Sequence, residues 1–235
     1  MTRTRGDAIQ LVGINTKTGA ASAIGIPRDS YVPIPGYGSD RVNAALYYGG
    51  PQLLAETVGN LVGIQPDLVF VTRFTKFEAM IDGVGGIEVR NPRFFSDDNL
   101  KPKGFKAGRI RLGGYSALTF SRIRKSLPAG DFDRSANQQR VLRGIHARIR
   151  EGSRTRGFLE RGVLSVLANT DTNVSPAQLY RIAHAITTLK PRRFSSCVVQ
   201  GAIGNVGGAS VVLPYTDQAR RYGDDARDDA TIERC

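Results

Sequence analysis

Short β-compatible runs alternate with segments of helical period along this chain, and no linker interrupts them. Residues 8–14 (AIQLVGI) and 20–26 (AASAIGI) are separated by the turn-like NTKTG and read as a hairpin. Asn43 is expected to cap a short helix through Ala44 to Tyr48, and Pro51 opens a second that ends at Gly63. Leu54, Val58, Leu61 and Val62 share a face of that second helix, which therefore packs against a sheet. Residues 67–73 read as a strand. Phe77, Met80, Ile81 and Val84 follow at helical spacing, and Gly85-Gly86 ends that helix before a strand at 87–90. The polar stretch 91–114, rich in Gly, Pro and Lys, is expected to be a long loop. Helices are expected at 114–121, from about Asp133 to Arg150 with Val141, Leu142, Ile145 and Ile149 inward, and at 156–168. Another fits 175–189, with Ser175 as cap and Pro176 in its first turn. Strands at 193–200 and 208–214 precede a charged, helical tail from Thr216. Such alternation implies one α/β domain in layers over residues 1–235.

Composition limits what the chain can meet. A hydrophobic share of 40% suits a globular core, and no segment approaches the roughly 20 apolar residues that cross a bilayer. The start, MTRTRGD, has charge but no apolar region behind it, so no signal peptide is visible. Either the protein is cytoplasmic or the chain is a soluble domain separated from its anchor. The formal net charge of +12, carried mostly by arginine, raises nucleic acid, anionic membranes and phosphorylated substrates as partners. Helix-turn-helix spacing, aromatic RNA-binding strands and metal fingers are absent, so nucleic acid is not expected.

Three clusters carry chemistry. Arg5 and Asp7 stand at the mouth of the first strand, and Arg28 and Asp29 just past the second. An antiparallel pair returns to the end it left, so Asp7 and Arg28-Asp29 should lie close. The third cluster is SRIRKS followed by GDFDRSANQQR. A β-like alternation there points Arg122 and Arg124 to one side, while helical spacing puts Arg134 and Gln138 on one face. Asp131 or Asp133 can cap that helix, whose N-terminus itself attracts phosphate. Each cluster has a plain alternative: a surface ion pair, ordinary loop chemistry, or a charged strand edge. Convergence favours a phosphate or pyrophosphate site, because guanidinium presents a fixed fork of donors and keeps its charge. Cys197 and Cys235 are either two buried thiols or a disulfide that ties the C-terminal tail to the body, and spacing alone leaves both open.

The order and wording of several motifs resemble the LytR-CpsA-Psr family, whose enzymes attach glycopolymers to bacterial peptidoglycan. The matching stretches are RGDAIQLVGIN, AIGIPRDSYVPIPGYGSDRVNAALYYGGPQLLAETVGNLVGI, FEAMIDGVGGIEV and LGGYSALTFSRIRKSLPAGDFDRSANQQRVL, from residue 5 to about residue 143. GGASVVLPYTDQARRY with its terminal Cys is similar to the form in actinobacterial members. The resemblance implies a three-layer α-β-α sandwich with a central mixed, largely antiparallel sheet. It implies an extracytoplasmic domain held by an N-terminal membrane helix that this chain lacks, and it favours the Cys197–Cys235 disulfide.

Carried over residue by residue, it implies Arg28, Arg122, Arg124, Arg134 and Gln138 as the pyrophosphate set, with Arg5 beside them and Arg41 near the same cleft. Asp7 matches a ligand of Mg2+ or Mn2+. Asp29 is a general base or a group that orients an arginine. A second acidic residue, in a Gly-Ser-Asp-like motif upstream in the family, has no counterpart here, which puts metal affinity in question. The implied reaction joins a glycan from a polyprenyl-pyrophosphate donor to peptidoglycan, releasing polyprenyl phosphate; arabinogalactan, teichoic acid and capsular polysaccharide are all open. Leu54, Val58, Phe77 and Met80 could line a slot for the lipid, or be plain core. The alternatives are a pyrophosphatase acting on the same donor, or a binding module for anionic lipid or polymer without turnover.

Overall fold

The computed structural model describes residues 4–172 and 174–235; the first three residues of the MTRTRGD start lie outside it. In chain order its elements begin with strands β1 (Gln10–Asn15), β2 (Ala20–Gly25), β3 (Tyr31–Ile34) and β4 (Gly38–Arg41) and helix α1 (Ala44–Val62). There follow β5 (Phe70–Val71), α2 (Phe74–Gly83), β6 (Ile87–Asn91), β7 (Phe95–Asp97), β8 (Lys101–Phe105), β9 (Gly108–Leu112), α3 (Gly114–Arg122) and α4 (Asp131–Gly152). The chain ends with α5 (Phe158–Asn169), β10 (Asp171–Thr172), α6 (Pro176–Thr188), β11 (Phe194–Val198), β12 (Gly201–Val206), β13 (Ala209–Pro214) and α7 (Thr216–Asp229). The architecture is mixed α/β, with sheets that are mostly antiparallel. Two compact units form: Met1–Val69 with Arg192–Cys235, and Phe70–Pro191.

In the first unit β1 and β2 make the expected hairpin, in register from Gln10↔Gly25 to Asn15↔Ala20. The Asn15 carboxamide sets the turn by accepting from the Lys17 and Thr18 amides, both at 3.0 Å. β11 joins β2 in parallel, so β2 is central and all six of its residues are buried. Helix α7 packs on β1, β2 and α1 around a core that includes Ile24, Val42, Val62, Val199 and Tyr222. The α7–α1 approach depends on Gly223, where a Cβ would fall 2.0 Å from the Val62 carbonyl oxygen. Helix α1 consists of the two expected helical segments joined at a kink, where Gly49 and Gly50 leave helical geometry and Gly50 takes φ +74° ahead of Pro51. Asn43 makes no side-chain cap bond: its own backbone is helical (φ −66°, ψ −17°), which denies it the extended geometry of a capping residue. The Cys197–Cys235 disulfide is present, with Cα atoms 5.2 Å apart, and holds the chain end to β11.

The second unit corrects the sequence reading of 91–114 as a loop. β7 and β8 form a hairpin, and β9 pairs antiparallel with β6 from Ile87↔Leu112 to Asn91↔Gly108. These strands are polar because one side stays in water; the other inserts Phe95, Phe105 and Leu112 into the core. Phe95, Phe105 and Phe120 of α3 pack pairwise with centroids 5.2 Å apart. The strand expected at 67–73 contracts to β5, paired with β10. The strand expected at 193–200 ends at Val198, and β12 follows as a separate strand. Helix α6 has the expected cap, as a full capping box between Ser175 and Gln178.

Helix α4 crosses β6 closely at Gly144, and the buried His146 lies two residues further on. Burial, with the charge of Arg150, holds the His146 imidazole below its usual value of 6.5 despite hydrogen bonds to the backbone of Leu189 and Ile186. The unfolded chain therefore binds the proton more readily. The stability linked to His146 is complete above the unfolded value and is lost as pH falls from there through the lowered folded value. Thermal melts from pH 7.5 to 5.5 should show a falling midpoint, and His146→Gln should flatten that slope.

Candidate functional site

In the first unit the Arg28–Ser30 segment is clamped by backbone. Arg28 O accepts from Asn43 N (3.2 Å), Asp29 O from Val212 N (2.9 Å), and Ser30 O from Val42 N (2.7 Å). Two segments, residues 42–43 and strand β13, thus fix where the Arg28 and Asp29 side chains leave the chain. Arg28 donates to Asp7, as hairpin geometry requires, and its Nε lies 3.5 Å from Asp29 Oδ1. The Arg41 guanidinium lies 3.8 Å from the same Asp29 oxygen. Asp7, Arg28, Asp29 and Arg41 therefore form one network, with Asp29 buried and the two guanidiniums about a quarter exposed. Its partners make Asp29 a group that holds two arginines, which supports the orienting role of the two expected for it.

Arg5 is exposed beside this network and acts on Asp40 and Tyr48. Burial raises the Asp40 pKa, but hydrogen bonds from Tyr48 and the Arg41 amide, with the charges of Arg41 and Arg5, bring it below the usual 3.8. The Tyr48 hydroxyl, 2.7 Å from Asp40 Oδ2, is correspondingly pushed up. Sequence reasoning missed Asp40 and Tyr48; the signal was DRVNAALYYGG, where an acid precedes Arg41 and two tyrosines precede the helix bend.

In the second unit two of the other predicted residues, Arg124 and Arg134, meet at Asp131. Its carboxylate pairs with Arg134 one turn on and lies 3.7 Å from Arg124. Asp131 does not cap α4: it is the first helical residue, behind Gly130, and makes no cap bond. Asp133 instead accepts from Ala129 N at 3.0 Å, tying down the preceding turn. Arg134 and Gln138 share a buried face as expected, and Gln138 donates to Ser121 O at 3.2 Å. The β-like alternation of Arg122 and Arg124 is not a strand. Arg122 ends α3, Ile123 turns extended and is buried, and Arg124 follows exposed. Arg122 rests 4.2 Å from the centre of the Phe74 ring, a cation–π contact that no local pattern announced.

Of the proposed lipid-slot residues, Val58 and Leu54 pack in the core of the first unit and Phe77 against that of the second, while Met80 is half-buried. A cavity of about 620 Å³ in the first unit is lined instead by residues such as Tyr31, Ile34, Leu61 and Leu213. Among the described residues no three His, Cys, Asp or Glu converge as a metal cage. The carboxylates present are oxygen donors only. They fit an ion such as Mg2+ that takes one or two protein carboxylates and completes its shell with phosphate and water.

The site is thus a set of guanidiniums held by carboxylates on fixed backbone in a mixed α/β protein. Comparison with known proteins agrees in fold and lineage. The LytR_cpsA_psr family model matches residues 1–227, and the chain belongs to that family. It is 33% identical over 179 residues to the polyisoprenyl-teichoic acid–peptidoglycan teichoic acid transferase TagU of Bacillus anthracis, covering 75% of this chain and 57% of the relative. It is 35% identical to TagU of Bacillus subtilis over 142 residues, 60% of this chain and 45% of the relative. The chain thus spans less than two thirds of the length of these curated relatives. Among solved structures, B. subtilis TagV matches 96% of this chain and 90% of its own with TM-score 0.83 at 24% identity, a likeness of fold. TagT bound to LI-WTA matches 96% of this chain and 85% of its own with TM-score 0.80 at 27% identity.

Proposed function

We propose that this chain transfers a glycopolymer from a polyprenyl-pyrophosphate carrier to peptidoglycan through a phosphodiester bond. The Asp7–Arg28–Asp29–Arg41 network carries the reading: two fixed guanidiniums, each anchored by a carboxylate, keep further donors for phosphate oxygens. The names of the curated relatives support both donor and acceptor class. In the reaction the acceptor hydroxyl oxygen attacks the phosphorus that bears the glycan. The bond from that phosphorus to the bridging oxygen breaks, polyprenyl phosphate leaves, and the hydroxyl proton passes to solvent or a base. Such a transfer needs orientation and neutralisation of spreading negative charge more than covalent help. Arg28 and Arg41, and in the second unit Arg122, Arg124 and Arg134, are the proposed donors to phosphate oxygens; Arg5 and Gln138 support binding. Asp29 positions Arg28 and Arg41. Asp7 would contribute a ligand to bound Mg2+ or Mn2+, which would further neutralise pyrophosphate charge.

A polyprenyl carrier together with a peptidoglycan acceptor supports a location at the outer face of a bacterial membrane. The disulfide supports an oxidising compartment, and among the described residues no helix is long and apolar enough to cross a membrane. The C-terminal likeness to actinobacterial members rests on sequence alone, while the relatives named here are from Bacillus.

The test combines a short polyprenyl-pyrophosphate oligosaccharide, a peptidoglycan fragment and Mg2+. Phosphodiester product is expected, and Arg28→Ala should reduce its rate by about 100-fold, the scale of removing one preorganised donor. Release of polyprenyl phosphate with no glycan on the acceptor would make the chain a pyrophosphatase. Binding without any turnover would make it a binding module.

A further inference from the structure

Beside the Arg28 network lies an exposed aromatic surface. Tyr37, in the β3–β4 turn, stacks on Tyr48 of α1 with ring centroids 4.9 Å apart and planes within 6°. Tyr47 meets Tyr48 edge-on at 5.8 Å. These rings come from the β3–β4 turn and from α1, yet their exposures are 54% for Tyr37, 37% for Tyr48 and 39% for Tyr47. Scattered exposed aromatics need no explanation, but three packed against one another and left open to water make a patch.

The patch is continuous with the charged network. The Tyr48 hydroxyl donates to Asp40, whose carboxylate accepts from the Arg41 amide at 2.6 Å, and the Arg41 guanidinium reaches Asp29 beside Arg28. Two parallel rings in contact leave no gap for a base to intercalate. Two rings stacked on each other enclose no chain between them, so the pair does not suit an isoprenoid either. A pyranose fits: its C–H face packs on the negative face of an aromatic ring, while its hydroxyls find acceptors and donors at the rim. Asp40 and the exposed Arg5 supply that rim.

We infer that the Tyr37–Tyr48 pair is a sugar platform, which seats the first hexopyranose attached to the phosphate that Arg28 and Arg41 hold. This deepens the proposed function and rests on its phosphate reading. Tyr37 supplies the open face, Tyr48 backs it, and the Asp40 hydrogen bond fixes Tyr48. The platform makes the donor's first sugar a specificity determinant: a pyranose with an unobstructed C–H face stacks, and a bare pyrophosphate gains nothing from it.

The test measures Kd for two probes, inorganic pyrophosphate and a short isoprenyl pyrophosphate bearing N-acetylglucosamine, on the unmodified chain, Tyr37→Ala, Tyr37→Phe and Arg28→Ala. Tyr37→Ala should weaken the glycosylated probe about tenfold and leave pyrophosphate unchanged, the size of one aromatic contact. Tyr37→Phe, which keeps the ring, should bind as the unmodified chain does. An unchanged Kd for the glycosylated probe in Tyr37→Ala, or equal weakening of both probes, overturns the platform. Should Arg28→Ala leave pyrophosphate binding intact, the phosphate reading fails by itself. The platform is then judged by saturation transfer from tyrosine ring protons to methyl N-acetylglucosaminide: transfer that Tyr37→Ala removes supports it, and no transfer overturns it.

Discussion

Reducing the Cys197–Cys235 bond is expected to lower the stability of this protein by about 4 kcal/mol, the loop-closure value for a bond spanning 38 residues of sequence. The loss falls on the end of the chain that depends on it. Past α7 the chain turns at Ala230 and tucks Ile232 into the first unit's core, where the Ile232 amide donates to Ser195 Oγ at 3.1 Å. Two buried side chains, Ala230 and Ile232, and a few hydrogen bonds hold this segment beside β11; the disulfide makes the arrangement obligatory. For a chain of this length such a change corresponds to a midpoint lowered by roughly 10 °C. Melting with and without reductant, together with a Cys197→Ala/Cys235→Ala variant, measures it. Equal midpoints for oxidised and reduced protein would show that the tail packs adequately unaided.

What the sequence revealed was mostly what neighbours in sequence decide. The β1–β2 turn rests on Asn15 and residues just after it, and the α6 capping box on Ser175 and Gln178 three positions on. The Arg134–Gln138 face needs only helical period. The closeness of Asp7 to Arg28 followed from hairpin return, one step of topology beyond local pattern. The failures are tertiary. β7 to β9 read as loop because their polar side faces water and their apolar residues are too sparse to show alternation; Phe95 and Phe105 make sense only against Phe120 of α3. Asn43 and Asp131 belong to types that cap helices, yet one has helical backbone and the other lies inside the first turn. Tyr48 sits eight residues past Asp40, and only the packing of α1 on the β3–β4 hairpin brings the two together. Sequence supplied the residue types of the site; the carboxylate assigned to each arginine came from the fold.

That assignment makes Arg134 the most sensitive position in the second unit. Arg134→Ala leaves Asp131 as a buried carboxylate with its nearest guanidinium gone and the exposed Arg124 at 3.7 Å as the remaining cation named beside it. Removing one member of a buried pair leaves an undercompensated charge, and the expected loss is about 3 kcal/mol. The proposed phosphate role predicts in addition a transfer rate lower by more than 100-fold, beyond the loss of one preorganised donor because Asp131 is freed to repel the anion. Stability and chemistry separate in Arg134→Ala/Asp131→Asn, which removes the stranded charge. Most of the stability should return in that double variant, since its buried ion pair becomes a neutral group, while transfer should recover only the part lost to repulsion and stay about 100-fold down, because no guanidinium has been restored. Denaturant melts and the transfer assay on both variants read the two effects independently. Recovery of transfer along with stability would assign Arg134 to holding α4 in place and remove it from the phosphate-binding set.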